Sequence, residues 1–579
     1  MASTTRNGET ATATATVKVK AKLHGRAFYE SIGSPKFVLA PMVDQSEFAW
    51  RMLTRSFLTP AENSKLLAYT PMFHARLFER GAKYRDSHFE PTQPPTSTCS
   101  TAIPSPGSAS ADPEQDVQQL PFLDGNPKFD RPLTVQFCAN DPEHLLGAAK
   151  QVAPYCDAVD LNLGCPQGIA RKGHYGAFLQ EDQDLIYKLV NTLHENLSVP
   201  VTAKMRILET KEDTLAYAKN LLAAGASILT VHGRRREQKG HLTGVADWEY
   251  VRYLRENLPE ETVIFANGNV LQHGDLERCL EATGADAVMS AEGNLSDPAI
   301  FAQLPPPGQE GREYWRSKDG KGGYRVDAVF RRYMDIIHKY VLQHEPPTRR
   351  PLFVVGDDEG WLTEEKAEDA EQEEGPARKK RKKDNGGKTE KQCNSPNLLG
   401  IRRHLFHLLR HFISKHTDIR DALARCPVGD IPAIENVLDM VERRIAEGLI
   451  EYERTGGRST EEPGPESKAP AESSKEEDVG DDLESSIATV KKCKRPWWIA
   501  QPIVRPLPKE ALEKGSISLS KKEKKKQEEA AKAADLAPAR DAQKRIEEEL
   551  PKVDGVASVK EPSMDATRPG LTADELVCG

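Results

Sequence analysis

Short runs of five to seven mostly apolar residues recur along the first half of the chain, at 36–40, 65–70, 133–138, 157–163, 200–205, 227–231, 262–266 and 285–290. Their length, apolar continuity and flanking turn residues predict strands buried on both faces. Between them lie segments with apolar residues at helical spacing, at 47–57, 142–153, 182–196, 211–224, 248–256, 274–282 and 297–303. Eight strands alternating with helices over about 270 residues is the count of a parallel (β/α)8 barrel. A doubly wound open sheet is the rival. It wants a glycine fingerprint between its first strand and helix, and Ala40-Pro41-Met42-Val43-Asp44-Gln45-Ser46 is not one.

The alternation is interrupted and then ends. Pro, Ser and Thr dominate from 91 to 113, so residues 91–131 read as a disordered insertion. Helical spacing returns at 324–343 and 397–445, with an acidic run at 357–374 and the basic cluster Arg-Lys-Lys-Arg-Lys-Lys at 378–383 between them. The expected organisation is a disordered N-terminal arm (1–26), the barrel (27–305), a smaller all-helical domain (322–451) with a disordered charged insertion at 356–396, and a mostly disordered charged tail (456–579). Within the tail, 495–508 carries Pro496-Trp497-Trp498 and further prolines, and either docks back on the folded body or binds a partner.

Composition agrees with packed domains diluted by disorder: 38% of residues are hydrophobic, 29% are charged, and Gly and Pro number 40 each. The formal net charge of −8 excludes a uniformly basic protein, so a nucleic-acid surface must be local. One such surface is the helical stretch where Arg402, Arg403, Arg410 and Lys415 interleave with Ile401, Leu405, Leu408 and Phe412. The basic face suits phosphate, and equally suits water. The nine cysteines are scattered without Cys-x-x-Cys or zinc spacing, which implies a reducing compartment, no metal and no disulfide framework. No apolar run reaches the length of a membrane span, and no secretory signal opens the sequence. The first 26 residues weakly resemble a mitochondrial presequence, but an ordinary arm is favoured. The basic cluster is a nuclear signal, a phosphate-seeking patch or solvated charge, so a cytoplasmic or nuclear location is expected.

Chemistry concentrates where the fourth strand ends in Asn162-Leu163-Gly164-Cys165-Pro166 and runs into a loop with Arg171, Lys172 and His174. Barrel enzymes keep their chemistry at the C-terminal ends of strands. A buried structural cysteine is the plainer reading, and the neighbouring strand ends argue against it. Gln136 ends the third strand, Lys204 and Arg206 the fifth, His232-Gly233-Arg234 the sixth, Asn267-Gly268-Asn269 the seventh and Ser290-Ala291-Glu292-Gly293 the eighth. Glycine-bearing turns after the last two strands suit a phosphate, and a strand-end lysine suits an electron-rich ring.

Ala-Pro-Met-Val-Asp (40–44), Leu-Asn-Leu-Gly-Cys-Pro (161–166), Lys-Gly-His-Tyr-Gly-Ala-Phe-Leu (172–179), Val-His-Gly-Arg (231–234) and Asn-Gly-Asn (267–269) together resemble the flavin-dependent tRNA-dihydrouridine synthases. Ser-Ala-Glu-Gly-Asn-Leu (290–295) resembles the eukaryotic tRNA-dihydrouridine(16/17) branch. The resemblance spans the barrel and, more loosely, the helices to 451. It implies an NADPH- or NADH-driven, FMN-dependent reduction of uridine in the tRNA D-loop, by a monomer that needs neither metal nor membrane. It further implies that Cys165 protonates C5 of uracil; that Pro41, Met42, Val43, Gln136, Lys204 and His232 hold the flavin; and that Asn267, Gly268, Asn269, Ala291 and Glu292 cradle its phosphate. By the same likeness Asn162 and Arg206 face the uracil, and Arg171 and Lys172 the tRNA backbone. One departure is plain: related bacterial enzymes carry Gly-Arg where Ala291-Glu292 stands, so an arginine–phosphate pair is missing. A free thiol titrates near about 8.5, so Cys165 can serve as an acid at neutral pH. The competing readings are a flavin barrel acting on a small pyrimidine or enone, which would not need the helical domain, and a non-catalytic tRNA-binding protein.

Overall fold

The structure is a computed structural model that describes residues 22–93, 120–318, 320–362, 395–460 and 495–502. Eight parallel strands close into a barrel: β1 (Phe37–Leu39), β2 (Leu66–His74), β3 (Leu133–Cys138), β4 (Ala158–Leu163), β5 (Val201–Arg206), β6 (Ile228–His232), β7 (Val263–Asn267) and β8 (Ala287–Ser290). The closing pair sets Phe37 against Val288 and Leu39 against Ser290. Strand alternation divides the buried residues into two sets. Leu39, Val135, Phe137, Leu161, Ala203 and Val231 face outward and pack with the surrounding helices. Val38, Leu67, Ala158, Ile228, Phe265 and Ala287 fill the lower interior, where Phe28 and Tyr29 of the helix Gly25–Ser31 join them and close the base.

Higher in the barrel the interior turns polar. Gln136, Asp160, Asn162, Thr202, Lys204, Thr230 and Asn267 are all buried there. Their strand partners place Gln136 beside Asp160, Asp160 beside Thr202, Asn162 beside Lys204, Arg206 beside His232, and His232 beside Asn267. One half of the barrel is thus hydrocarbon and the other a ring of donors and acceptors.

Several boundaries differ from the sequence reading. Residues 22–26 belong to the body, since Arg26 pairs with Asp286 at 2.5 Å and Lys22 donates to the His194 carbonyl. Residues 120–131, assigned to the insertion by their composition, are also folded. Their Asp124 and Asp130 bracket the buried Arg51 at 2.7 and 2.5 Å, and a buried guanidinium needs such partners. The helix expected at 297–303 is instead the short Glu292–Ser296, followed by turns. The core of the insertion (94–119), most of the charged linker (363–394) and most of the tail (461–494 and 503–579) lie outside the described residues.

The region after the barrel is not purely helical. A two-stranded antiparallel ribbon, Tyr314–Arg316 with Gly322–Tyr324, precedes the helices Val326–Ile336, Pro396–Leu408, Arg410–Lys415, Thr417–Arg425 and Ile431–Arg454. The described part of the Trp-Trp segment docks here. Trp498 is buried, its ring lies 5.7 Å from Trp315 and 5.8 Å from Tyr452, and its carbonyl accepts from Val326 N. Gly448 makes room, since a Cβ there would stand 2.5 Å from the ring of Trp497. No described helix is long and apolar enough to cross a membrane, and no cluster of three metal-ligating side chains occurs among the described residues. Trp498→Ala should cost about 3–5 kcal/mol, the usual loss for a buried aromatic, read by urea unfolding.

Candidate active site

The β4 end carries Cys165 on a backbone that several groups hold from below. Asn162 Oδ1 accepts from the amides of Gly164 (3.1 Å) and Cys165 (2.9 Å). Asn162 Nδ2 donates to Gln136 Oε1 at 2.8 Å, and Gln136 Nε2 donates to Asp160 Oδ2 at 2.8 Å. Thr202 completes the series by donating to Asp160 Oδ1 at 2.6 Å. On the other side, the Cys165 carbonyl accepts from Ala177 N at 3.1 Å. Gly176 sits in the left-handed region (φ 65°), and a Cβ on it would stand 3.0 Å from Cys165 Cβ. Only glycine lets the return strand of the loop approach that closely. The Cys165 side chain remains half-buried, packed beside Cys138, Ala170 and Tyr175.

Arg206, at the end of β5, is tied to backbone on two sides. Its Nε donates to the Gly164 carbonyl at 2.7 Å and its Nη1 to the Arg235 and Gln238 carbonyls at 2.8 and 3.3 Å. The guanidinium fastens the Cys165 turn to the loop after β6 through Nε and Nη1.

The neighbouring wall is cationic. Lys204 Nζ donates to Asn267 Oδ1 at 3.0 Å, and Asn267 Nδ2 donates to the Met289 carbonyl at 2.9 Å. Among the described residues no carboxylate lies within ion-pair distance of this buried ammonium. Burial, and then Arg206, pull its pKa down to about 8. Burial also holds His232 well below its ordinary value, with Lys204, Arg206 and Arg234 adding to it, so the imidazole is neutral. Asp160 is pushed up to about 6 by burial, against the hydrogen bonds from Thr202 and Gln136.

The turn after β7 is fastened on all sides. Trp248 Nε1 donates to the Gly268 carbonyl at 2.9 Å. Asn269, at φ 59°, accepts from Arg234 Nη2 at 2.7 Å and donates to the Ala246 carbonyl at 3.1 Å. A Cβ at Gly268 (φ 109°) would meet Ala246 Cβ at 2.7 Å. Arg234 also donates to His232 Nε2 at 3.2 Å, which leaves the proton of that ring on Nδ1.

The other expected residues divide by exposure. Met42 is buried, with its amide bonded to Ser46 Oγ at 3.0 Å; Pro41 is partly covered and Val43 is open to solvent. Ala291 and Glu292 are half-buried at the start of the helix Glu292–Ser296. Arg171 and Lys172 are exposed on the last turn of the helix Gly168–Gly173, outside the interior lining. Asp160 has no role in the sequence-based expectations, although it stands as an acid in the middle of an apolar strand, two residues before Asn162. Arg234 is named there in the Val-His-Gly-Arg motif, but without a role of its own.

A flavin mononucleotide fits this mouth on chemical grounds. A buried ammonium with no carboxylate partner among the described residues, a neutral imidazole and a glycine turn with no room for a side chain favour an anionic, electron-rich guest. In the protein without cofactor, Lys204 binds fewer protons when folded than when unfolded between pH 8 and 10.5, so stability rises with pH across that window. Urea unfolding at pH 8 and pH 10 should show this gain in the wild type, of roughly 2–3 kcal/mol, and its loss in Lys204→Met.

The dihydrouridine synthase family profile (Dus) matches residues 38–318. The chain is 40% identical to the tRNA-dihydrouridine(16/17) synthase [NAD(P)(+)] of Schizosaccharomyces pombe over 84% of this chain and 92% of that protein. It is 44% identical to the protein of the same name from Saccharomyces cerevisiae, over 70% of this chain and 72% of the relative. A Mus musculus protein named tRNA-dihydrouridine(16/17) synthase [NAD(P)(+)]-like is 44% identical over 49% of this chain and 52% of its own length. With an eight-stranded barrel, a polar mouth around Cys165 and matches that reach past the barrel into the helices, the chain belongs to the dihydrouridine synthase family.

Proposed function

We propose that the protein reduces the C5–C6 double bond of uridine in tRNA, at positions 16 and 17 as in the names of its relatives, with FMN as resident cofactor and NADPH or NADH as electron source. The observation that carries this reading is the half-buried Cys165, held by its own backbone in the same mouth as the buried Lys204 ammonium, whose partner is an amide and not a carboxylate.

When bound, reduced FMN supplies the hydride that C6 of uracil accepts. Cys165 delivers the proton to C5, and its thiolate recovers a proton from solvent, so that hydride and proton together saturate the bond. Lys204 and His232 would hold the flavin, the ammonium balancing negative charge on its ring. The turn at Asn267, Gly268 and Asn269 would take the phosphate through backbone amides, together with Ala291 and Glu292. Ala291-Glu292 brings no cation, and Arg234, fastened to Asn269, is the nearest guanidinium to that turn. Pro41, Met42, Val43 and Gln136 would line the ring. Asn162 has one amide hydrogen not committed to Gln136, and it would orient the uracil.

A uridine in folded RNA must leave its stack to reach this depth, at about a few kcal/mol. Contacts to the phosphate backbone offset that, and the exposed Arg171 and Lys172 stand beside the mouth to make them. Exposed Arg402, Arg403, Arg410 and Lys415 extend basic surface along the helical region, which favours tRNA over a free pyrimidine as substrate. The test is to incubate the purified protein with unmodified tRNA and NADPH and map dihydrouridine. Cys165→Ala should keep its yellow colour and lose turnover by about 100-fold or more. Wild-type turnover in that variant would remove Cys165 from its role.

A further inference from the structure

The first helix after β1, Phe48–Arg55, has an incomplete N-terminus. Its N-cap residue, Glu47, makes no capping hydrogen bond with its own side chain. The helical region supplies what is missing. Asn397 Oδ1 accepts from Ala49 N at 2.8 Å, capping a barrel helix from a residue 348 positions away. Two helical turns further on, His404 Nε2 bonds both oxygens of the Glu47 carboxylate, at 2.9 and 3.0 Å. Asn397 and His404 are seven residues apart and so share a face of the helix Pro396–Leu408. Gly400 lies between them, and a Cβ there would stand 3.2 Å from Glu47 Oε1. All of these polar groups are buried.

His404 reaches a second barrel loop through Trp50. The two rings stack at 4.0 Å with 4° between their planes. Trp50 Nε1 in turn donates to Asn294 Oδ1 at 2.7 Å, and Asn294 Nδ2 donates to Thr54 Oγ1 at 3.0 Å. Asn294 belongs to the helix Glu292–Ser296, which follows Ala291 at the end of β8. Glu47 closes the loop 40–47, whose apex Asp44 (φ 54°) is paired with Arg403 at 2.6 Å. One buried imidazole from the helical region therefore braces the two barrel segments that carry Pro41, Met42 and Val43 on one side and Ala291 and Glu292 on the other.

We propose that His404 is a positioning residue for the reaction, through which the helical region sets the geometry of the cofactor-binding loops after β1 and β8. This rests on the functional reading above. The consequence is that the helical region does more than present basic surface to RNA: without its packed face, the barrel cannot hold its cofactor loops in the working arrangement.

The test uses the full chain loaded with FMN. His404→Leu should weaken FMN binding about tenfold or more, alter the visible circular dichroism of the flavin at saturating FMN, and lower kcat, with tRNA affinity by filter binding changed less than about twofold. His404→Gln, whose amide can still donate to Glu47, should recover most of the FMN affinity and the dichroism. Should His404→Leu fail to fold, Trp50→Phe keeps a stacking ring and releases Asn294, and it should loosen FMN in the same direction. In Asn397→Ala, the Ala49 amide should lose hydrogen-exchange protection even in protein free of cofactor. Variants that bind FMN with wild-type affinity and show an unchanged flavin spectrum overturn the proposal while leaving the functional reading intact. A wild-type protein that neither binds FMN nor reduces tRNA overturns both.

Discussion

A buried carboxylate can only accept hydrogen bonds, and that asymmetry orders the top of this barrel. Asp160 has no route to solvent, so Thr202 and Gln136 must turn their donors toward it. Once the Gln136 amide presents Nε2 to Asp160, its Oε1 faces Asn162, which must answer with Nδ2. The remaining oxygen of Asn162 then faces up the strand and takes the amides of Gly164 and Cys165. Each amide orientation follows from the one below it. The thiol at the end is placed by a polarity that starts two strand residues beneath Asn162, at the buried Asp160 carboxylate.

The same depth that makes this series reliable makes the neighbouring charges demanding. Lys204 is buried with an amide oxygen for a partner, and an ammonium so placed gives up part of its basicity. Asp160 shares the interior but spends its acceptors on Thr202 and Gln136. The mouth is therefore cationic on one wall and thiol-bearing on another, with a neutral imidazole between charged neighbours. The proposed flavin, as an anionic ring, would offset part of the cost of burying the Lys204 ammonium. The helical region contributes from outside, by completing the N-terminus of the helix after β1 and bracing the segment after β8.

Much of this was legible in the chain. The spacing of apolar runs announced the barrel, and several of the polar residues closing successive strands gather in its upper interior. What escaped was whatever depends on a partner far away in sequence. Residues 120–131 look like linker until Arg51 is found buried between Asp124 and Asp130. Trp498 looked equally suited to a partner or to the fold, and its slot is made by Gly448 and Trp315, which no local pattern connects to it. Arg206, which the resemblance sets toward the uracil, also meets three backbone carbonyls, and no local pattern connects it to them. The last expected barrel helix came from a short periodic stretch at 297–303, where the chain actually turns, and the preceding Glu292–Ser296 takes that place.

Asp160 fixes the orientation of Gln136 and Asn162, and through them the Cys165 backbone. Single-turnover kinetics of Asp160→Ala loaded with FMN test this most directly, with flavin reduction by NADPH and uridine reduction in tRNA followed separately. The account predicts flavin reduction within about twofold of wild type and uridine reduction slowed by about 100-fold, the scale of a misplaced general acid. Uridine reduction at the wild-type rate would contradict it.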